Sequence, residues 1–280
     1  MGKLIDDYFT SHLSLSPADA THLHTHYYLT YGLAIEGLVR HHRVDPLEYN
    51  ALVDDALPLE DVLSPDLELR RLLEDVDRSR VRLWLFTNAY VNHARRVVRL
   101  LGLDGGDGEG EGEGKLFEGL TYCDYGAATR VSEETGEMEG FSCKPHRKMF
   151  DKAMREAGVE EMGKCYFVGM CLRLLSSFAF NFLPRVICSP PFSSASFRPT
   201  CHSLLWTAKA SHQTKLTDDH LDDSALNCRA AAALGWTAAH LVEPDDAPPK
   251  EKASQFQVRS LYQLREIWPH FFKSTNVSQA

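Results

Sequence analysis

The sequence lacks an excess of basic charge: 30 Lys and Arg stand against 39 Asp and Glu, for a formal net charge of −9. A broad nucleic-acid surface needs clustered Lys and Arg, so that class of partner is excluded, and peripheral binding to anionic lipid with it. Long apolar runs are also missing. Leu174 to Pro184, a charge-free apolar stretch, is about half the ~20 residues that a membrane span needs. At the start of the chain Asp6 and Asp7 stand where a signal or transit peptide would carry bases and a long apolar run. Cysteine is sparse, with seven residues, no Cys-x-x-Cys pair and no even framework, which fits a reducing compartment. The expectation is a soluble intracellular protein, cytoplasmic, with the nucleus also open to it.

What is present is ordinary for a globular chain: 280 residues, 44% hydrophobic and 25% charged. At roughly 150 residues per domain this length predicts two domains, or one core with a sizeable insertion. Residues 1–78 read as helices. Leu4, Tyr8, Phe9 and Leu13 recur at helical spacing, Ser16-Pro17-Ala18-Asp19 has the form of an N-cap with Pro in the first turn, and Tyr27, Tyr28, Tyr31 and Leu33 continue a second helix. From Arg80 the pattern changes. Strands are predicted at Val81–Phe86, Leu120–Cys123, Lys164–Val168 and Thr237–Val242, alternating with helices at Val91–Leu101, Pro145–Ala157 and Ala225–Leu234, each helix closed by Gly. That alternation predicts an α/β fold with a Rossmann-like parallel sheet, spanning residues 79–168 and 222–280.

Two segments break the rhythm. Asp104 to Lys115 is an acidic Gly-Glu loop, whose carboxylates would repel a phosphate rather than cradle it. Gly169 to Leu221 holds five Lys and Arg, two Asp, no Glu, eight Ser, five Phe and four Pro, so it carries +3 against −12 for the remainder. It shows neither helical nor strand period, and a structureless insertion of this length inside a compact fold counts against its being structural.

Three short patterns stand at predicted strand ends, where open α/β sheets bind ligands. In Leu85-Phe86-Thr87-Asn88, the Thr87 hydroxyl and free backbone N–H groups can grip a phosphate oxygen, although strand-end Thr also forms turns. In Cys143-Lys144-Pro145-His146, Lys144 precedes a helix and can aim its ammonium over the sheet edge, or be a solvated Lys. Asp222-Asp223-Ser224 places adjacent carboxylates before a helix; such acids hold Mg²⁺ or cap the helix.

The order Thr, Lys, Asp-Asp on successive strand ends resembles the haloacid dehalogenase-like hydrolases. Trp84-Leu85-Phe86-Thr87-Asn88-Ala89-Tyr90, Gly119-Leu120-Thr121-Tyr122-Cys123-Asp124-Tyr125, Cys143-Lys144-Pro145-His146, Tyr31-Gly32-Leu33-Ala34 and Glu48-Tyr49-Asn50 look like the fungal pyrimidine 5′-nucleotidase branch of that superfamily. The resemblance implies a helical cap over residues 1–78 and a Mg²⁺-dependent hydrolase of nucleoside 5′-monophosphates, with pyrimidines preferred. In it a strand-end Asp attacks phosphorus and water hydrolyses the aspartyl-phosphate, while a second Asp two residues on serves as acid and base. Thr87, Asn88 and Lys144 would bind the phosphoryl group, and Asp222 and Asp223 the metal.

The chain departs from that pattern twice. No strand ending in Asp-x-Asp precedes the helical part; Asp6 and Asp7 follow no strand and lie in a helical pattern. The missing strand would be central, so its loss is expected to expose ladder groups on both neighbours and to remove apolar burial. The second departure is Gly169–Leu221, which the family does not have. Codons for Gly169-Met170-Cys171 can contain GTATGT, those for Leu216-Thr217 CTGAC, and those for Leu221-Asp222 a terminal TAG. Excision between the first base of codon 169 and the second base of codon 222 restores Tyr-Phe-Val-Asp-Asp-Ser. The segment therefore reads as a translated, unspliced intron, disordered or poorly packed; a lineage-specific insertion is the competing reading.

Other functional classes stay open. A relative without the nucleophile could be a non-catalytic ligand-binding protein, and a phosphatase of the same family could act on lysophospholipid or sugar phosphates. His22, His24 and His26 are two residues apart, so only His22 and His26 share a helix face, and a solvated face is expected there rather than a ligand set. Cys123, Cys143 and Cys165, with Trp84 and Trp236, read as core.

Overall fold

The computed structural model describes residues 1–105, 115–127, 140–170, 203–206, 223–242 and 251–274. Residues 1–78 form α1 (Gly2–His12), α2 (Pro17–Tyr31), α3 (Ala34–His42), α4 (Pro46–Leu52) and α5 (Leu67–Glu74). The boundaries follow local chemistry. Ser16 accepts from the Asp19 N–H ahead of Pro17, Asp45 accepts from the Leu47 N–H ahead of Pro46, and Asp66 caps α5 through the Leu69 N–H. Helix α2 ends where Gly32 turns left-handed at φ +83°. Tyr8, Phe9, Ile35, Leu38 and Tyr49 are buried between these helices. The α2–α3 approach is so close that a Cβ on Gly37 would lie 2.2 Å from the Tyr27 ring.

The α/β part follows as β1 (Arg82–Phe86), α6 (Val91–Leu100), β2 (Gly119–Thr121), α7 (Arg147–Ala157), β3 (Tyr166–Met170), β4 (Ser203–Trp206), α8 (Asp223–Ala233), β5 (Thr237–Leu241), β6 (Phe256–Val258) and α9 (Leu264–Ile267). The six strands make one sheet in the order β2-β1-β4-β3-β5-β6, and every ladder is parallel. An α/β fold with a parallel sheet is thus what the alternation of periods predicted.

The segment between Val168 and Asp222 does not fall wholly outside the fold. Gly169 and Met170 extend β3, and Ser203–Trp206 is β4, inserted between β1 and β3. Arg82 pairs with Ser203 and Leu83 with Leu204 on one side; Tyr166, Phe167 and Val168 pair with Leu204, Leu205 and Trp206 on the other. Part of the ladder that a missing central strand would expose, at Arg82 and Leu83 of β1 and at Tyr166–Val168 of β3, is met by this one. No alternating pattern announces it, because a strand this short offers too few residues to show a period. The rest of 169–221 lies outside the described residues, as do most of the Gly-Glu loop and residues 128–139. Strand β6, short and at the edge, also lacked a signal strong enough to predict it.

The core beside the sheet is aromatic. Phe86, Phe150 and Phe167 are fully buried, and Phe86 meets Phe150 edge-on at 5.3 Å between ring centroids. Trp236 lies 5.1 Å from Phe150 at a near-perpendicular angle, a favoured quadrupole arrangement. Trp84, Trp236, Cys123, Cys143 and Cys165 are all buried, as their positions predicted. Among the described residues no helix is long and apolar enough to cross a membrane.

Removing the ring that joins α7 to the sheet should cost far more than trimming an exposed side chain. Phe150→Ala is expected to lower stability by about 3–5 kcal/mol, and Leu67→Ala, on an exposed helix face, by no more than about 0.5 kcal/mol. Urea unfolding followed by circular dichroism measures both.

Candidate active site

Strand β1 delivers Thr87 and Asn88 to the C-terminal edge of the sheet, where both are almost fully buried. The Thr87 N–H donates to the Thr121 carbonyl at 2.9 Å, one step beyond the β1–β2 register. Its Oγ1 accepts from the Ala89 N–H at 3.0 Å, so the hydroxyl shapes the turn that launches α6.

Lys144 comes to the same point from the turn ahead of α7. It is 2% exposed, and its Nζ donates to the Phe86 carbonyl at 3.0 Å while lying 4.6 Å from the centroid of the Phe86 ring. The ammonium is therefore held at the residue next to Thr87, and the solvated alternative for Lys144 is overturned. The cation–ring contact adds attraction in a desolvated setting.

Asn88, expected to bind phosphate, turns its side chain to Lys144. Its Nδ2 donates to the Lys144 carbonyl at 2.9 Å and its Oδ1 accepts from the Lys144 N–H at 2.8 Å. One side-chain amide thus holds both backbone groups of Lys144, from the two peptide units that flank it, and fixes the turn to β1. Around it, the Cys123 thiol donates to the Ser142 carbonyl, and the Tyr125 hydroxyl donates to the Asn88 carbonyl at 3.3 Å.

The helical part abuts this turn. A Cβ on Gly32 would lie 2.9 Å from the Lys144 carbonyl oxygen, and its φ is already positive, so glycine is required twice over. The Tyr31 carbonyl accepts from the Cys143 thiol at 3.3 Å and lies 3.0 Å from His146 Nε2. His146 is pushed up to about 9 by hydrogen bonding with Cys143, with the Tyr31 carbonyl and Glu36 acting in the same direction against burial. Hydrogen bonding to Cys123 and burial raise the Cys143 thiol well above its usual range, so it stays neutral at pH 7.

Asp222 lies outside the described residues. Asp223 opens α8, and the start of that helix packs on the end of β3: a Cβ on Gly169 would meet the Ser224 carbonyl at 3.1 Å and Cys228 Sγ at 2.4 Å. The backbone at Asp223 therefore sits at the same sheet edge as Thr87 and Lys144. The chain's own Asp-x-Asp triplet, Asp75-Val76-Asp77, precedes β1 at the opposite end of the sheet, with Asp75 paired to Arg265 and Asp77 to Arg80.

One buried acid near the site escaped the sequence reading. Asp54 is 4% exposed. Burial comes first in raising the Tyr49 and Tyr125 hydroxyls and in lowering His93, and the Asp54 charge acts on all three. It sits in the turn after α4, next to Asp55, so its burial had no local signal. The three His of α2 form no ligand set; His24 pairs with Asp6 at 2.9 Å across helices.

No family model matches the chain. It is 36% identical over 173 residues to Phosphate metabolism protein 8 of Saccharomyces cerevisiae (strain ATCC 204508 / S288c), a stretch covering 60% of this chain and 48% of that protein. The family resemblance is borne out. The matched stretch amounts to about half the length of this relative.

Cutting the bracket should be felt in stability before anything else. Asn88→Ala leaves the buried N–H and C=O of Lys144 without that amide, at about 1–3 kcal/mol for each group left unsatisfied. Asn88→Asp keeps the acceptor and loses the donor, so it should also destabilise. Urea midpoints of the three proteins check the order.

Proposed function

We propose that this chain carries the phosphate-gripping half of a phosphomonoester hydrolase for nucleoside 5′-monophosphates, pyrimidine-preferring by resemblance, working in the cytoplasm. The observation that carries the reading is the convergence of the buried Lys144 ammonium with Thr87 at one strand end. A fixed cation and oriented N–H groups there would neutralise a phosphoryl group as charge builds on its oxygens. Asn88 would act indirectly, by holding the Lys144 turn. The donor chemistry of Asp222 and Asp223 fits a hard cation such as Mg²⁺, which would supply charge neutralisation and orientation of the phosphoryl oxygens. The helical part would exclude water from the nucleoside.

The nucleophile is the decisive question. In the resemblance it ends a central strand as Asp-x-Asp. Between β1 and β3 this chain has β4, followed by Thr207-Ala208-Lys209, with no carboxylate among them. As written, the chain would bind phosphate and not turn it over, which favours the non-catalytic reading for this polypeptide as it stands. We hold 169–221 to be a translated intron whose β4 takes the place of the nucleophile strand.

The transcript across Val168 to Asp223 and upstream of Met1 tests this. A message that joins Val168 to an Asp-Asp pair and adds an Asp-x-Asp strand supports the hydrolase. A message that keeps all 53 residues of Gly169–Leu221 and begins at Met1 leaves a binder. The spliced product should release phosphate from uridine and cytidine monophosphates, and Lys144→Met should lower that turnover by about 10²–10³-fold. The chain as written should release none.

A further inference from the structure

Glu36, Cys143 and His146 stand outside that reading. Each offers one ligand atom, and the three atoms lie within 4.8 Å of one another. Cys143 Sγ is 4.0 Å from Glu36 Oε2, and Tyr31's carbonyl sits among them, 3.3 Å from the sulfur and 3.0 Å from His146 Nε2. The positions are rigidly supplied. The His146 N–H closes a turn on the Cys143 carbonyl at 3.0 Å, which sets the Cys and His side by side ahead of α7. Glu36 comes from the first turn of α3, and Arg40 occupies its Oε1 at 2.6 Å, leaving Oε2 on the side of the thiol. Glu36 and Cys143 are buried, whereas His146 is exposed, so a small ion has an entrance past the imidazole.

We propose that Glu36, Cys143 and His146 bind a thiophilic divalent cation such as Zn²⁺ at the seam between α3 and the turn that carries Lys144. One sulfur, one imidazole nitrogen and one carboxylate oxygen form a borderline-soft donor set that suits Zn²⁺ and disfavours Mg²⁺. Donors of this kind on a tetrahedral ion are about 3.3–3.8 Å apart, which needs only a small closing movement, and the exposed His146 side chain can make most of it. The Tyr31 carbonyl or water completes four-coordination. Coordination replaces the thiol proton and the proton of the His146 imidazolium, both of which leave to solvent. The bound ion then ties the helical part to the turn next to the phosphate grip.

Cobalt(II) reports on such a site directly, because a cobalt–thiolate bond gives a near-ultraviolet charge-transfer band that a carboxylate or imidazole site does not. The full chain, in excess Mg²⁺, is titrated with Co²⁺ and then with Zn²⁺. A saturable one-to-one band displaced by Zn²⁺ is expected. It should vanish in Cys143→Ser, persist in Cys228→Ser, and need at least about tenfold more Co²⁺ in His146→Ala and Glu36→Gln. His146 is exposed, so its variant keeps the test valid should Cys143→Ser misfold. The absence of a band, a band that survives Cys143→Ser, or an unchanged affinity in His146→Ala overturns the site. None of these outcomes bears on the phosphate reading, because a hard cation at Asp222 and Asp223 gives no thiolate band.

Discussion

A parallel sheet cannot leave an interior position empty. Both neighbours of a vacant position would turn unpaired N–H and C=O groups into the protein, and each such group costs free energy comparable to a lost hydrogen bond. In this chain the constraint falls between β1, which carries Thr87, and β3, which leads to α8. Ser203–Trp206 meets it, with ladders on both sides. The sheet, the packing of Phe86 and Phe167 beside it, and the alignment of the strand ends all depend on that position being filled.

What fills it decides the chemistry. Backbone ladders ask only for extended chain with free donors and acceptors, so a segment of foreign composition can satisfy the sheet. The proposed reaction would ask for a carboxylate at the end of that strand, and Thr207-Ala208-Lys209 does not provide one. Fold and function thus place different demands on the same position, and meeting the first does not meet the second.

The proposed phosphate grip shows a similar division of labour. Lys144 carries the charge, and Asn88, one residue beyond Thr87, turns its amide to the Lys144 N–H and carbonyl. Gly32 lets the helical part come within contact of that carbonyl oxygen. Charge, turn and helix are coupled through backbone atoms, so a change at Asn88 or Gly32 would reach the ammonium without touching it. The Glu36–Cys143–His146 cluster lies on the same seam, where α3 meets the turn that carries Lys144.

Much of this was legible along the chain. Short apolar runs alternating with helical patterns located β1, β2, β3, β5 and the helices between them, because each buries one face or both against a neighbour. Ser16, Pro17 and the helix-closing glycines marked ends through local stereochemistry alone. The words around Thr87, Lys144 and Asp222-Asp223 pointed to phosphate chemistry because residue type and strand-end position are both local. Tertiary structure alone decided the rest. That Asn88 grips Lys144, that Asp54 is buried among tyrosines, and that Glu36 meets Cys143 and His146 are contacts between residues far apart in the chain, with no periodicity to announce them. That Ser203–Trp206 becomes the middle of the sheet follows from the demand of β1 and β3 for a partner, a demand that acts only once the two strands have been brought together.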